Sequence, residues 1–279
     1  MEVILAECAG ACYGVQRALN LALEQAECAQ STQTLGPLIH NPQVVAALAE
    51  KGVTVASEPG QIDAECVVIR SHGVTPETLR QVENTGAKVI NATCPHVIRA
   101  QKAAESLAKQ CATVLVLGEK SHPEVCGITA YAREAGGNVV VAQSVDEIPA
   151  HLDEPVGIVV QTTQSHERLD QVVDYLNQQG VSFVVKDTIC TATSRRQESA
   201  ANLAADVDAM VVIGGHNSSN TTRLYEICAK NAPQAFHIER PEELQKSDFS
   251  SCARVGVTAG ASTPQEQIQA VISLLESWE

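Results

Sequence analysis

Three cysteines, Cys12, Cys94 and Cys190, recur at intervals close to a third of the 279-residue chain. Each is followed five residues later by an arginine (Arg17, Arg99 and Arg195) and twenty-eight residues later by a polar residue: His40, His122 and Ser218. A further apolar run in each third ends in a polar cluster, at Ser71-His72-Gly73, Gln161-Thr162-Thr163 and Ala261-Ser262-Thr263. With ten cysteines a chance match is easy, but several shared offsets together point to a threefold repeat. Thiolates ligate soft metals, and imidazole, hydroxyl and amide groups donate hydrogen bonds to anions. No C-x-x-C pair occurs anywhere. That excludes zinc ribbons, thioredoxin-like motifs and bacterial ferredoxin runs. Any metal must draw its ligands from distant parts of the chain.

The elements that would position these residues follow from periodicity. Short, continuous apolar runs include 3–5, 66–69, 88–90, 114–117, 156–160, 183–185, 210–213 and 255–258. Such runs suit buried parallel strands. They alternate with Ala/Leu/Gln/Glu-rich helical stretches such as 97–109 and 265–275, which predicts an α/β fold with mostly parallel sheets. Each of the three cysteines falls just after a strand and just before a helix. The repeat is too long for a solenoid and suits three small α/β domains, expected at 1–93, 94–188 and 189–279, in a pseudo-threefold, trefoil-like arrangement. Ligands of parallel sheets sit beyond the carboxyl ends of the strands. Three such domains around an axis would gather three thiols and six polar loops at one centre. Three thiolates without a fourth suit a [4Fe–4S] cluster with one iron left open, whereas electron carriers typically use four cysteines. An open iron is a Lewis acid that can take a substrate hydroxyl.

Composition narrows the partners. With 19 Lys+Arg against 33 Asp+Glu the net charge is −14, which argues against nucleic acid or an anionic membrane. No run approaches the roughly 18 apolar residues of a membrane span. The opening MEVILAECAG carries an early acid and no basic stretch, so it does not read as a signal peptide. The expectation is a cytoplasmic protein whose thiols stay reduced.

The loops Ile39-His40-Asn41-Pro42, Ser71-His72-Gly73, Ser121-His122-Pro123-Glu124, Gln161-Thr162-Thr163, Asn217-Ser218-Ser219-Asn220 and Ala261-Ser262-Thr263-Pro264 can be set beside the cysteine segments. Those are Ala9-Gly10-Ala11-Cys12-Tyr13-Gly14-Val15, Ala92-Thr93-Cys94-Pro95 and Ile189-Cys190-Thr191. As an ordered set spanning essentially the whole chain, they resemble the 4-hydroxy-3-methylbut-2-enyl diphosphate reductase (LytB) family. The resemblance implies three α/β domains around one central [4Fe–4S] cluster per chain, held by Cys12, Cys94 and Cys190 with one open iron. It implies reductive removal of the substrate hydroxyl to give isopentenyl and dimethylallyl diphosphates, the last step of the methylerythritol phosphate route to isoprenoids. The electrons would come from an external donor of flavodoxin or ferredoxin type. Cys8 is read as a decoy, because only Cys12 has Gly14, Val15 and Arg17 in register. Ala11 and Asn91 depart from the family pattern without touching a ligand.

A diphosphate entering so acidic a protein needs local donors. His40, His72 and His122 can supply ring N–H groups, and Ser218, Ser219, Asn220, Ser262 and Thr162 hydroxyl or amide groups where loops meet helix N-termini. His96, His151, His166, His216 and His237 lack matching positions and read as surface or structural. Arg17, Arg99 and Arg195 are expected to brace the domains or tune the cluster. The other seven cysteines are expected to be small buried hydrophobes. Hydroxide leaves poorly unless protonated, so Glu124, the one acid in these loops, is the expected general acid, with Thr162 as its relay and His122 positioning it. Two rivals leave residues unexplained. A non-catalytic iron–sulfur sensor or electron carrier has no use for the histidine, serine and Glu124 loops, and a metal-free phosphate-binding protein has none for the cysteines.

The register is testable on iron content. Cys12→Ser, Cys94→Ser and Cys190→Ser should each lose stably bound iron, and Cys8→Ser should keep it. Retention in Cys12→Ser with loss in Cys8→Ser would contradict the assignment.

Overall fold

The computed structural model describes residues Met1–Trp278, in which α-helices connect most of the strands. In chain order these are β1 (Glu2–Leu5), α1 (Tyr13–Cys28), β2 (Thr32–Leu35), α2 (Pro42–Glu50), β3 (Val53–Ala56), β4 (Cys66–Ile69), α3 (Pro76–Glu83), β5 (Lys88–Asn91), α4 (Pro95–Ala108) and β6 (Thr113–Leu117). They continue with α5 (Pro123–Glu134), β7 (Asn138–Ala142), β8 (Val156–Val160), α6 (His166–Gln178), β9 (Phe183–Lys186) and α7 (Thr191–Ala204). The last are β10 (Ala209–Ile213), α8 (Ser219–Asn231), β11 (Gln234–Ile238), β12 (Arg254–Ala259) and α9 (Gln265–Glu276).

The strands form three four-stranded, wholly parallel sheets, in the orders β3-β2-β4-β5, β7-β6-β8-β9 and β1-β12-β10-β11. The chain thus builds three small α/β modules, as its alternation predicts. The order has the same logic in each. The chain steps outward once and returns to the other side of the starting strand; in the first two sheets it then steps outward again, and in the third that outer place is taken by β1. The reversal falls between β2 and β4, between β6 and β8, and between β10 and β12. The first two sheets lie in one compact unit, made of Gln16–Ile39 and Ala46–Cys190. The third lies in the other, made of Met1–Val15, His40–Val45 and the chain from Thr191 on.

The third sheet takes in one strand from outside the expected 189–279 domain. β1 pairs with β12, in register Val3↔Val255, so the first strand of the chain completes the last sheet. The segment leading to Cys12 therefore belongs with the C-terminal module. β1 stands in its sheet where β5 and β9 stand in theirs, at the outer edge, and each of these three strands leads to one of the three cysteines.

Packing explains why most positions of the inner strands are apolar. In β6 and β8, Leu115, Leu117, Ile158 and Val160 pack with Leu169, Val172 and Leu176 of α6 on one face. Val114, Val116 and Val159 meet Ala100, Ala104 and Leu107 of α4 and Val125, Ile128 and Ala132 of α5 on the other. The third sheet is layered likewise. Val211, Ile213, Val255 and Val257 face Ile268, Val271 and Leu275 of α9, and Met210 and Val212 face α7 and α8. Each buried Val, Leu or Ile contributes about 1.5–3 kcal/mol. The central strand β2 breaks the pattern. Its sequence is Thr-Gln-Thr-Leu, yet all four residues are buried. Gln33 is accommodated because its Oε1 accepts from the backbone N–H groups of Asp63 and Ala64, at 3.1 and 3.2 Å.

Candidate active site

Each cysteine is set by one recurring backbone bond. Cys94 N–H donates to Ser71 O (2.9 Å), Cys190 N–H to Thr162 O (3.0 Å) and Cys12 N–H to Ala261 O (3.1 Å). In every case the acceptor lies in the loop after the neighbouring inner strand, β4, β8 or β12. The threefold equivalence read from spacing thus extends to hydrogen bonding. All three cysteines are partly exposed, whereas Cys66 and Cys228 are buried. Burial pushes the Cys228 thiol up to about 12. Of the seven remaining cysteines, all expected to be buried, only Cys66 and Cys228 are; Cys8, Cys111 and Cys252 are partly exposed, and Cys28 and Cys126 are exposed. Cys126 lies in the first turns of α5, on the face turned from the sheet.

Arginines follow the cysteines as spaced, with one correction. Arg17 Nη1 donates to Thr93 O (3.3 Å) and Arg99 Nη2 to Ile189 O (3.2 Å). In the third module this part is taken by Arg196, which is 5% exposed and donates to Gly10 O at 2.6 Å. Arg195 is exposed. Two adjacent arginines hid the shift, since Arg195 met the offset.

In the middle module the loops after β6 and β8 meet at the strand-order reversal. Glu124 lies in the first turn of α5 and is only 2% exposed. Its Oε1 accepts from Thr162 N–H at 2.7 Å and its Oε2 from the Thr162 hydroxyl at 2.9 Å. Burial is the dominant influence on its acidity. It outweighs the two Thr162 bonds, which favour the carboxylate, and raises the pKa from 4.5 to about 7. His122 caps α5: its Nδ1 accepts from Glu124 N–H at 3.1 Å. In the neutral ring this acceptor role places the proton on Nε2, making that nitrogen a donor. The His72 ring stands edge-on to His122, with centroids 5.5 Å apart. Beside it Gly73 has φ +73°, and a Cβ there would sit 2.8 Å from Gln101 Nε2, so the close turn requires glycine.

The other unit assembles a second group. Ser218 caps α8, its Oγ accepting from Thr221 N–H at 3.4 Å, which leaves the hydroxyl proton for another acceptor. Asn220 is 4% exposed, and neither its Oδ1 nor its Nδ2 has a hydrogen-bond partner. Ser219 is buried beside it. Ser262 Oγ donates to His40 O at 3.1 Å, and Asn41 Nδ2 donates to Ser262 O at 2.9 Å. The Ser262 hydroxyl therefore tethers the His40 loop. Asn41 was not singled out from the sequence, although it caps α2 by accepting from Gln43 and Val44 N–H. Asn-Pro before an apolar helix is the signal that would have found it.

Four of the remaining histidines have other partners. His166 contacts Asp187 (3.1 Å), His151 lies 4.0 Å from Asp153, and the His216 ring packs tilted against that of His237 with centroids 4.3 Å apart. Burial lowers the His237 pKa, and its Nε2 meets Gly214 O.

Three like modules, each with a thiol after its outer strand and polar groups at its reversal point, define a parallel α/β protein with its chemistry in strand-end loops. The family model described as "LytB protein" matches residues 3–276, and the chain belongs to that family. A 4-hydroxy-3-methylbut-2-enyl diphosphate reductase of Syntrophotalea carbinolica is 45% identical over 273 residues, covering 98% of this chain and 97% of its own. That of Aquifex aeolicus is 44% identical over 278 residues, covering 99% and 96%. A solved structure of (E)-4-hydroxy-3-methyl-but-2-enyl diphosphate reductase, the terminal enzyme of the non-mevalonate pathway, is 44% identical. It covers 99% of this chain and 100% of its own, with a TM-score of 0.72. A reductase from Plasmodium falciparum, 23% identical and covering 98% and 87%, shares the fold with a TM-score of 0.89.

The raised Glu124 acidity has a signed consequence for stability. Between pH 4.5 and about 7 the unfolded chain releases this proton while the folded chain keeps it, so folding stability falls as pH rises through that window. Glu124→Gln removes the penalty. Relative to wild type it should gain stability progressively from pH 4.5 to 7, by about 3 kcal/mol in all, and stay level above. Urea unfolding across that range checks it, and a pH-independent difference would contradict it.

Proposed function

We propose that the chain reduces 4-hydroxy-3-methylbut-2-enyl diphosphate to isopentenyl and dimethylallyl diphosphates. The observation that carries this reading is the buried Glu124 carboxyl, held through both oxygens by Thr162, with burial raising its pKa to about 7 and the His122 cap on its backbone N–H. An electron carrier or sensor has no use for such a group. The donor set also fits an iron–sulfur cluster, with three partly exposed thiols at equivalent strand ends and each loop pinned through its cysteine N–H. Cys12, Cys94 and Cys190 would hold the cluster. When bound, it supplies the reducing electrons one at a time and a Lewis-acidic iron for the substrate hydroxyl.

The residues do the rest. Replacing C–OH by C–H consumes two electrons and two protons and releases water. Glu124 gives one proton to the departing hydroxyl oxygen. Thr162 holds the acid in place, and its hydroxyl relays the proton that restores it. The second proton goes to either end of the resulting allyl system, which accounts for two products. The diphosphate is held by hydrogen bonds, from the rings of His40, His72 and His122 and from Ser218, Ser219 and Asn220 at the N-terminus of α8. The two partnerless amide atoms of Asn220 favour a polar ligand there. We assign Ser262 an indirect part, holding the His40 loop. The electrons come from an external donor of flavodoxin or ferredoxin type. Among the described residues no helix is long and apolar enough to cross a membrane.

The test is an anaerobic assay of the reconstituted protein with dithionite and a viologen. Wild type should convert the hydroxymethylbutenyl diphosphate to both products. A cluster that forms and cycles without any turnover would instead favour a carrier. In the same assay Glu124→Gln should keep cluster and affinity but lose turnover by about 10²–10⁴-fold or more. Near-normal turnover would remove Glu124 from the proton path. His72→Ala and Ser218→Ala should weaken substrate affinity roughly tenfold each.

A further inference from the structure

The arginine contacts go further than bracing. Arg17 donates to Thr93 O, and that carbonyl shares a peptide group with the Cys94 N–H, which itself donates to Ser71 O. Arg99 donates to Ile189 O, which shares a peptide group with the Cys190 N–H, bonded to Thr162 O. Each of these peptides is therefore gripped at both ends, immediately before the cysteine. In the third loop the grip is offset by one residue. Arg196 spans two carbonyls, Gly10 O at 2.6 Å and Ala192 O at 3.1 Å, while Cys12 N–H is bonded to Ala261 O. In every case the arginine sits on the helix that follows one cysteine and grips the loop of another.

A guanidinium stays charged throughout the accessible pH range, and here each charge is fixed within one or two residues of a thiol. Positive charge favours the more negative, reduced state of a thiolate-bound cluster, and a pinned loop resists ligand release. We infer that Arg17, Arg99 and Arg196 are positioning residues that hold the three cysteine loops, slow iron loss and raise the reduction potential of the cluster. The inference rests on the proposed ligation by Cys12, Cys94 and Cys190. Solvent screening sets the order of their effects. Arg196 is buried, Arg17 is half-buried and Arg99 is exposed, so the effect falls in that sequence.

The test uses reconstituted holoprotein without oxygen and reads two quantities: the rate of cluster loss to an iron chelator and the midpoint potential. Arg196→Gln should lose its cluster about tenfold faster or more, within the usual range for removing a group that orients a metal ligand, and its potential should fall. Arg17→Gln should show a smaller change of the same sign and Arg99→Gln the least. Arg196→Lys keeps the charge but cannot span two carbonyls, so it should recover the potential and not the resistance to chelator. Arg195→Gln, one residue away and exposed, should match wild type in both. Wild-type behaviour of Arg196→Gln and Arg17→Gln, or an equal effect of Arg195→Gln, overturns the inference. If Arg196→Gln does not fold, Arg17→Gln against Arg195→Gln decides it. Should Cys94→Ser retain the wild-type cluster, the ligand assignment fails first and this inference with it. A cluster lost in Cys94→Ser but indifferent to the arginines defeats this inference alone.

Discussion

The reversal of strand order between β6 and β8 dictates where chemistry can occur in the middle module. Parallel pairing sends every loop of one kind to the carboxyl edge, and the reversal sends α5 and α6 to opposite faces of the sheet. Their entry loops meet at this reversal point. Glu124 and Thr162 come from its two sides and bond across it. A carboxyl placed there loses its water, and the cost of charging it raises its pKa. The acid's protonation state is thus a product of topology, set by two strands whose side chains are all buried.

The same constraint is repeated with different residues. At the corresponding points of the other modules the chain places Ser71 and His72 after β4, and Ser218 and Ser262 after β10 and β12. Several of these side chains also serve the fold. His122 and Ser218 cap helices, and Ser262 ties down the His40 loop. In the first two cases the capping bond is compatible with the proposed anion contact. Accepting through Nδ1 or Oγ keeps a proton on the other ring nitrogen, or on the hydroxyl. The structural role fixes the donor's direction.

Much of this was legible in the sequence because buried parallel strands advertise themselves. Runs such as Val114–Leu117 and Val156–Val160 cannot face water, and the polar residues that follow them must lie at strand ends. What stayed hidden had specific physical reasons. β2 is buried through Thr-Gln-Thr, where Gln33 satisfies backbone groups that an apolar pattern cannot register. β1 joins β12, a pairing across nearly the whole chain that local patterning cannot express. Arg196 was masked by Arg195 because an offset counted along the chain is blind to which face of α7 is buried. Cys28 and Cys126 are exposed because cysteine content says nothing of helix phase.

The central claim is that burial at the strand ends keeps the Glu124 carboxyl protonated close to neutral pH. Infrared difference spectroscopy during a pH titration, wild type minus Glu124→Gln, reads that group directly through its protonated C=O band. The account predicts a band absent from the variant that disappears with a midpoint near 7. Disappearance near 4.5, the ordinary value for glutamate, would contradict it.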